Sequence, residues 1–139
     1  MKYTSLFQSK FLQLFTGGVA YGSLEIAWRG YTHISMIILG GICFCILLRL
    51  ARRKFNFFLK SLAGSVIITV LEFIVGCVVN IWLNLNVWDY SIEPYHLHGQ
   101  ICIRFFLLWW ALCALILPVC YLWRSLGQRN MQKKNFIGA

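Results

Sequence analysis

Four apolar runs, each close to the length of a membrane span, constrain the fold of this chain more than any other feature. They lie at about 11–28, 34–50, 62–83 and 101–123 of the 139 residues, and a helix needs about 20 mostly apolar residues to cross a bilayer. Only 12% of the residues are charged, against about 25% in soluble domains. The sequence therefore predicts an all-α integral membrane protein, with residues 1–139 forming one transmembrane domain folded as a four-helix bundle.

The lysine and arginine residues indicate how this bundle is oriented. Of the thirteen in the chain, only Arg29 and Arg104 fall on the side that holds the first and third connections between helices. Segments rich in Lys and Arg stay in the cytoplasm, so both termini are expected there. The first run is interrupted by Gln13 and Thr16, which favours an uncleaved helix over a signal peptide.

The net charge of +9 is compatible with two kinds of partner, nucleic acid or anionic lipid. The basic residues lie in short segments between the apolar runs, and no aromatic platform for bases is interleaved with them. Membrane lipid is therefore an expected partner, and nucleic acid is not.

The outer end of the first run carries three ionisable residues, Glu25, Arg29 and His33, spaced four apart on one helical face. Gly18 and Gly22 continue this stripe, and small residues at such spacing let a second helix approach closely. Two interpretations follow. The stripe is either a packing seam capped by a Glu25–Arg29 pair or the outer rim of a polar site inside the membrane, and we adopt the second.

The third run carries small or polar residues at spacings of three or four: Ser61, Ser65, Thr69, Glu72, Gly76, Asn80 and Asn84. An ionised glutamate at mid-bilayer costs at least about 2.5–3.5 kcal/mol, and such residues commonly mark functional sites. The stripe therefore predicts a polar pathway or binding cavity around Glu72. The alternative is hydrogen bonding between helices that holds the bundle together.

The connection at 86–100 is rich in aromatic and ionisable residues, which suit a membrane interface. We expect Asp89 to pair with Arg104 and to complete an outer vestibule with the residues of the first helix. His33, His96 and His98 are potential zinc ligands, but the His-x-His spacing alone fixes no geometry, so no metal site is expected.

Sequence motifs of enzymes are absent. The chain has no phosphate-binding loop, no nucleophile elbow and no HExxH pair. The six cysteines lie in or beside apolar runs without C-x-x-C spacing, which indicates packing rather than metal or redox chemistry. No enzymatic activity and no cofactor are therefore expected.

Three segments together resemble a known family: EIAWRGYTHISMIILGGICF, LEFIVGCVVNIWLNLNVWDYS and GQICIRFFLLWW. The chain is similar over about residues 17–115 to the CmpB-like family of small bacterial membrane proteins, classed as ABC-transporter type IV permeases. The resemblance implies a multi-pass protein of the bacterial cytoplasmic (inner) membrane. It places these residues at motif positions: Glu25, Arg29, Gly30, Glu72, Trp88, Asp89, Tyr90, Ser91, Pro94, Gly99 and Gln100. Longer members carry a different run after Gly30, and His96 replaces a common asparagine, so the resemblance does not carry a substrate over.

We therefore expect a transporter permease subunit with a polar site inside the membrane. Nine residues are the candidates for this pathway or binding site: Glu25, Arg29, His33, Glu72, Asn80, Asp89, Tyr90, Gln100 and Arg104. An ATPase, if one is used, would be a separate chain that docks on the basic connection at 49–60. A homo-oligomer is a further expectation, because four helices alone enclose little space.

Two other functions fit the same residues. The main alternative is a non-transporting scaffold or regulatory subunit whose Glu, Asn and Gly stripes pack against a partner membrane protein. A small proton-coupled multidrug exporter also has four helices and an acidic residue in the first. The strong charge bias and the off-centre position of Glu25 disfavour the exporter.

Overall fold

A computed structural model describes residues 9–137, and this part of the chain forms four α-helices and one two-stranded hairpin. In chain order the elements are α1 (Lys10–Arg29), α2 (Ile34–Leu50), α3 (Phe57–Gly76) with a π-helical extension (Cys77–Trp82), β1 (His96–Leu97), β2 (Ile101–Cys102) and α4 (Ile103–Ile137). The strands pair antiparallel. Within the described residues, extended α3 (26 residues) and α4 (35 residues) are long and apolar enough to cross a membrane, whereas α2 is apolar but shorter.

The first two helices lie where the apolar runs predict them. α2 coincides with the run at 34–50, and α1 is one residue longer at each end than the run at 11–28. Gly30 ends α1 in the left-handed conformation, with φ of 82°, and its N–H donates to Ile26 O. Glycine adopts this conformation without a steric penalty, so the helix stops here and the chain turns directly into α2.

The other two helices depart from their predicted bounds. α3 begins five residues before position 62, because the Asn56 side chain caps it by accepting a hydrogen bond from Leu59 N at 2.8 Å. α4 begins two residues after position 101, since residues 101–102 form β2, and it continues from 123 to Ile137. The added segment is polar and carries no proline, so it propagates the helix although it carries no apolar signal.

Glycines join α1 to α2 in an antiparallel hairpin. A Cβ atom added at Gly18 would lie 2.7 Å from Ile37 O, and one added at Gly41 would lie 2.5 Å from Leu14 O. Both distances are far below van der Waals contact, so the two backbones approach this closely only where side chains are absent. The predicted glycine stripe of the first helix is therefore a packing seam within the chain.

The buried core is largely apolar, yet an acidic side chain is among the most deeply buried groups. The largest fully buried side chains are Glu72, Cys113, Cys120 and Ser65. Large apolar side chains instead cover the outside: Phe11 is 76% exposed and Leu115 73% exposed. An apolar exterior of this extent suits contact with lipid, and all six cysteines are free thiols.

Candidate functional site

Glu72 lies on α3, and its side chain is 1% exposed. Both carboxylate oxygens accept a hydrogen bond. The Tyr90 hydroxyl donates to Oε1 at 3.0 Å, and the Trp109 indole N–H donates to Oε2 at 2.8 Å. Among residues 9–137, no Lys, Arg or His forms an ion pair with it. The site thus holds a carboxylate with two neutral donors and no counter-charge.

A cavity of about 270 Å³ lies beside Glu72, between the four helices. Its walls are mainly aliphatic and aromatic, and among the residues that the structure describes Glu72 is the only carboxylate that lines it. Tyr21 of α1 stacks on Trp109 of α4 with ring centroids 5.7 Å apart, and Phe44 of α2 meets Trp123 of α4 edge to face at 5.9 Å. The cavity therefore combines one acidic group with four aromatic rings.

Tyr90 reaches Glu72 from the connection between α3 and α4. Its ring stacks on Phe105 with centroids 4.4 Å apart, and its N–H donates to Gly99 O at 2.7 Å. Burial, followed by the charge of neighbouring Glu72, raises the pKa of Tyr90 above its ordinary value. The phenol therefore stays protonated and acts as a donor to the carboxylate.

Asn80 and Gln100 hold this connection onto the end of α3. Asn80 Nδ2 donates to Gln100 Oε1 at 2.8 Å, and Asn80 Oδ1 accepts from Val87 N at 2.7 Å. Trp88 Nε1 donates to Gln100 O at 3.0 Å. The pair has room because Gly76 has no side chain: a Cβ there would lie 2.6 Å from Gln100 Oε1. Asn80 and Gln100 thus position the segment that carries Tyr90 and do not line the cavity.

The predicted Glu25–Arg29 pair is present at the end of α1. Arg29 Nη2 donates to Glu25 Oε1 at 2.7 Å, and Arg29 Nη1 donates to Val87 O at 2.7 Å. The Thr32 hydroxyl donates to the other Glu25 oxygen. Glu25 is 8% exposed, so the ion pair is largely buried. Through its second hydrogen bond, to Val87 O, Arg29 links α1 to the connection at 83–102.

The rest of the predicted vestibule does not form. Asp89 Oδ1 accepts from the N–H and the hydroxyl of Ser91, and these bonds lower the pKa of the Asp89 carboxyl. Arg104 Nη1 donates instead to Glu93 Oε1 at 2.8 Å, and its side chain is 61% exposed. The predicted Asp89–Arg104 pair is therefore wrong, because each group finds a partner nearer to it.

His33 is also placed differently from the prediction. Its Nδ1 accepts a hydrogen bond from Ser35 N at 3.2 Å, so the imidazole caps the N-terminus of α2 and does not join Glu25 and Arg29. His96 Nδ1 accepts from Gly99 N at 3.1 Å. In the described part of the chain, no three His, Cys, Asp or Glu side chains are grouped closely enough to hold a metal ion.

Tyr90 was among the candidates from sequence, whereas the other two aromatic residues near Glu72, Trp109 and Tyr21, were not. Trp109 supplies a donor and a cavity wall, and Tyr21 supplies the ring that stacks on it. The position of Trp109 in the sequence was a usable signal. Tryptophan is enriched at membrane interfaces, but Trp109 lies in the middle of an apolar run. A buried indole N–H usually needs an acceptor, and Glu72 was the acidic residue predicted at that depth.

Two helices of spanning length and large apolar side chains on the outside are features of α-helical membrane proteins, and the family match below points to the same class. Residues 19–137 match the family described as "Putative ABC-transporter type IV". Since the match covers most of the sequence, the chain belongs to this family, as the resemblance indicated, and the matched region extends into the polar end of α4. No curated protein and no solved structure matches the chain.

Proposed function

We propose that this protein is the permease subunit of a transporter and that the cavity beside Glu72 is its solute site. One observation carries the proposal: a fully enclosed carboxylate borders an apolar cavity and has hydrogen-bond donors but no counter-ion. Packing alone does not require an acidic side chain there, and placing one inside a membrane costs at least about 2.5–3.5 kcal/mol. A solute or proton that interacts with Glu72 supplies a reason to retain it.

In this proposal all four helices cross the bacterial inner membrane, with both termini in the cytoplasm. α1 has 20 residues and α2 has 17, which correspond to lengths of about 30 and 25 Å at 1.5 Å per residue. The hydrocarbon core of a bilayer is about 30 Å thick, so α1 is long enough to cross it and α2 is nearly so. The distribution of Lys and Arg supports an outer position for the connection at 83–102, which carries Asp89 and Tyr90.

Energy would come from a separate chain. The connection between α2 and α3 presents Arg52, Arg53 and Lys54, all exposed, on the proposed cytoplasmic face. These residues are a suitable contact for an ATPase with an acidic surface. Association of several copies would widen the pathway beyond what four helices enclose.

The scaffold alternative needs polar and small-residue stripes that face a partner. Gly18 and Gly41 instead pack α1 against α2, and Asn80 bonds to Gln100 within the chain. Little of either stripe is left for a partner's helices, and this supports the permease over the scaffold.

Two native cysteines allow a test that needs no known substrate. Cys43 and Cys113 line the cavity, whereas Cys120, which is as deeply buried as Cys113, does not line it. Single-cysteine variants that retain Cys43, Cys113 or Cys120 would be treated with a membrane-impermeant methanethiosulfonate, in spheroplasts and in inverted vesicles. A permease opens its cavity to water, so Cys113 should react from at least one face and Cys120 from neither.

The opposite result is equally clear. If Cys43 and Cys113 stay as unreactive as Cys120 from both faces, in protein that remains folded, the cavity is a closed packing defect. The permease proposal would then be wrong, and the scaffold would be the better explanation.

A further inference from the structure

We propose that the cavity binds a small organic monocation with an apolar body, such as a quaternary ammonium. This inference rests on the proposed function and names the class of solute. It follows from the size, charge and wall chemistry of the cavity.

The charge of the lining selects the sign of the ligand. Within residues 9–137, Glu72 is the only carboxylate in the wall, and no Lys, Arg or His contributes to the lining. An anionic ligand would face the carboxylate without any cation to balance it. A monocation would supply the counter-charge that Glu72 lacks, since opposite charges attract strongly where water is excluded.

The walls select the kind of cation. Inorganic cations such as Mg²⁺ and Ca²⁺ need about six oxygen ligands. In the described part of the chain, the lining side chains supply oxygen only from Thr16, Tyr21 and Glu72. The rings of Tyr21, Phe44, Trp109 and Trp123 can instead face a weakly hydrated organic cation, which aromatic rings attract through their π-electrons. The remaining aliphatic wall suits an apolar body.

The size of the cavity requires the apolar part of the cation to be compact. A volume of about 270 Å³ lies just below the about 300 Å³ at which small-molecule pockets begin. Benzyltrimethylammonium is a suitable probe because its neutral carbon isostere, neopentylbenzene, has nearly the same shape. The two compounds differ essentially in charge.

Binding would be measured by calorimetry on the full-length protein in lipid nanodiscs. We expect saturable binding of benzyltrimethylammonium, much weaker binding of neopentylbenzene and none of phenylacetate. Glu72→Gln should weaken cation binding at least about 30-fold, because a buried charge pair loses one partner. Tyr21→Leu keeps the carboxylate and should weaken it roughly threefold to tenfold by removing one aromatic face.

Two results would overturn the inference: equal binding of the cation and its neutral isostere, or cation binding that is unchanged in both Glu72→Gln and Tyr21→Leu. Thermal unfolding of each variant identifies any that fails to fold, and the two variants change different walls of the cavity.

Protection of Cys113 separates this inference from the proposed function. Benzyltrimethylammonium should slow the reaction of the single-cysteine Cys113 protein with methanethiosulfonate. If Cys113 reacts readily but the cation neither binds nor protects it, the cation inference is wrong while the permease proposal stands. If the cation binds but Cys113 does not react with methanethiosulfonate from either side of the membrane, the permease proposal is wrong while the cation site stands.

Discussion

Replacing Asn80 by leucine tests whether one buried amide holds the outer connection onto α3. The leucine side chain has the same branching of heavy atoms as asparagine but neither donates nor accepts a hydrogen bond. The Asn80 side chain is the partner of Gln100 Oε1 at 2.8 Å and of Val87 N at 2.7 Å. Val87, Asn80 and Gln100 are 5%, 8% and 5% exposed, so water cannot readily replace the amide.

The expected loss follows from the groups left without partners. Asn80→Leu leaves the N–H of Val87 and the side-chain oxygen of Gln100 buried and unpaired. Each such group costs about 1–3 kcal/mol, and we therefore expect the free energy of unfolding to fall by at least about 2 kcal/mol.

The assay is unfolding by denaturing detergent of the purified protein in mixed micelles, followed by circular dichroism. Asn56→Ala is the matched control, since Asn56 is an exposed helix cap with one hydrogen bond to Leu59 N, worth typically about 1 kcal/mol. If Asn80→Leu destabilises the protein no more than Asn56→Ala does, the amide does not hold the connection and the reasoning is refuted.

Three further perturbations have expected outcomes in the same unfolding assay. Gly76→Ala should destabilise the protein by about 1–3 kcal/mol, because the new Cβ would lie 2.6 Å from Gln100 Oε1. The raised pKa of Tyr90 means that its contribution to stability is complete below the unfolded value of about 10 and declines as the pH rises above it. Tyr90→Phe should therefore lessen the alkaline loss of stability. Removing Arg29 should cost more than removing Arg104, since the Arg29–Glu25 pair is largely buried and the Arg104–Glu93 pair is exposed. Exposed pairs contribute only about 0–1 kcal/mol.

Each of these expectations has a result that contradicts it. A Gly76→Ala protein as stable as the wild type would mean that Gln100 moves aside without penalty. Identical alkaline unfolding of wild type and Tyr90→Phe would mean that Tyr90 is not kept protonated by its surroundings. Equal effects of Arg29→Met and Arg104→Met would mean that burial does not distinguish the two ion pairs.

Features set by local sequence could be predicted. The bounds of α2 follow from an uninterrupted apolar run, and the Glu25–Arg29 pair follows from a spacing of four residues on one helix. The burial of Glu72 also follows, because the small and polar stripe marks the inward face of α3. In each case the determinant lies within one helix.

Features set by packing between distant segments could not be predicted. Trp109 meets Glu72 across 37 positions, and nothing in an apolar run marks which indole faces inward. The Asp89–Arg104 pairing failed for a different reason: Ser91 is two residues from Asp89 and satisfies its carboxylate locally. The long polar end of α4 was missed because apolar length, rather than helix propensity, set the predicted bound.

The most direct test of the central claim is infrared difference spectroscopy of the lipid-reconstituted protein. Carboxyl vibrations that disappear in Glu72→Gln belong to Glu72. If its cavity is a solute site, these bands should shift when benzyltrimethylammonium is added and stay unchanged with neopentylbenzene or phenylacetate. If the Glu72 bands do not change with any of the three compounds, the carboxyl has only a structural role. That result would contradict the claim that Glu72 faces a solute.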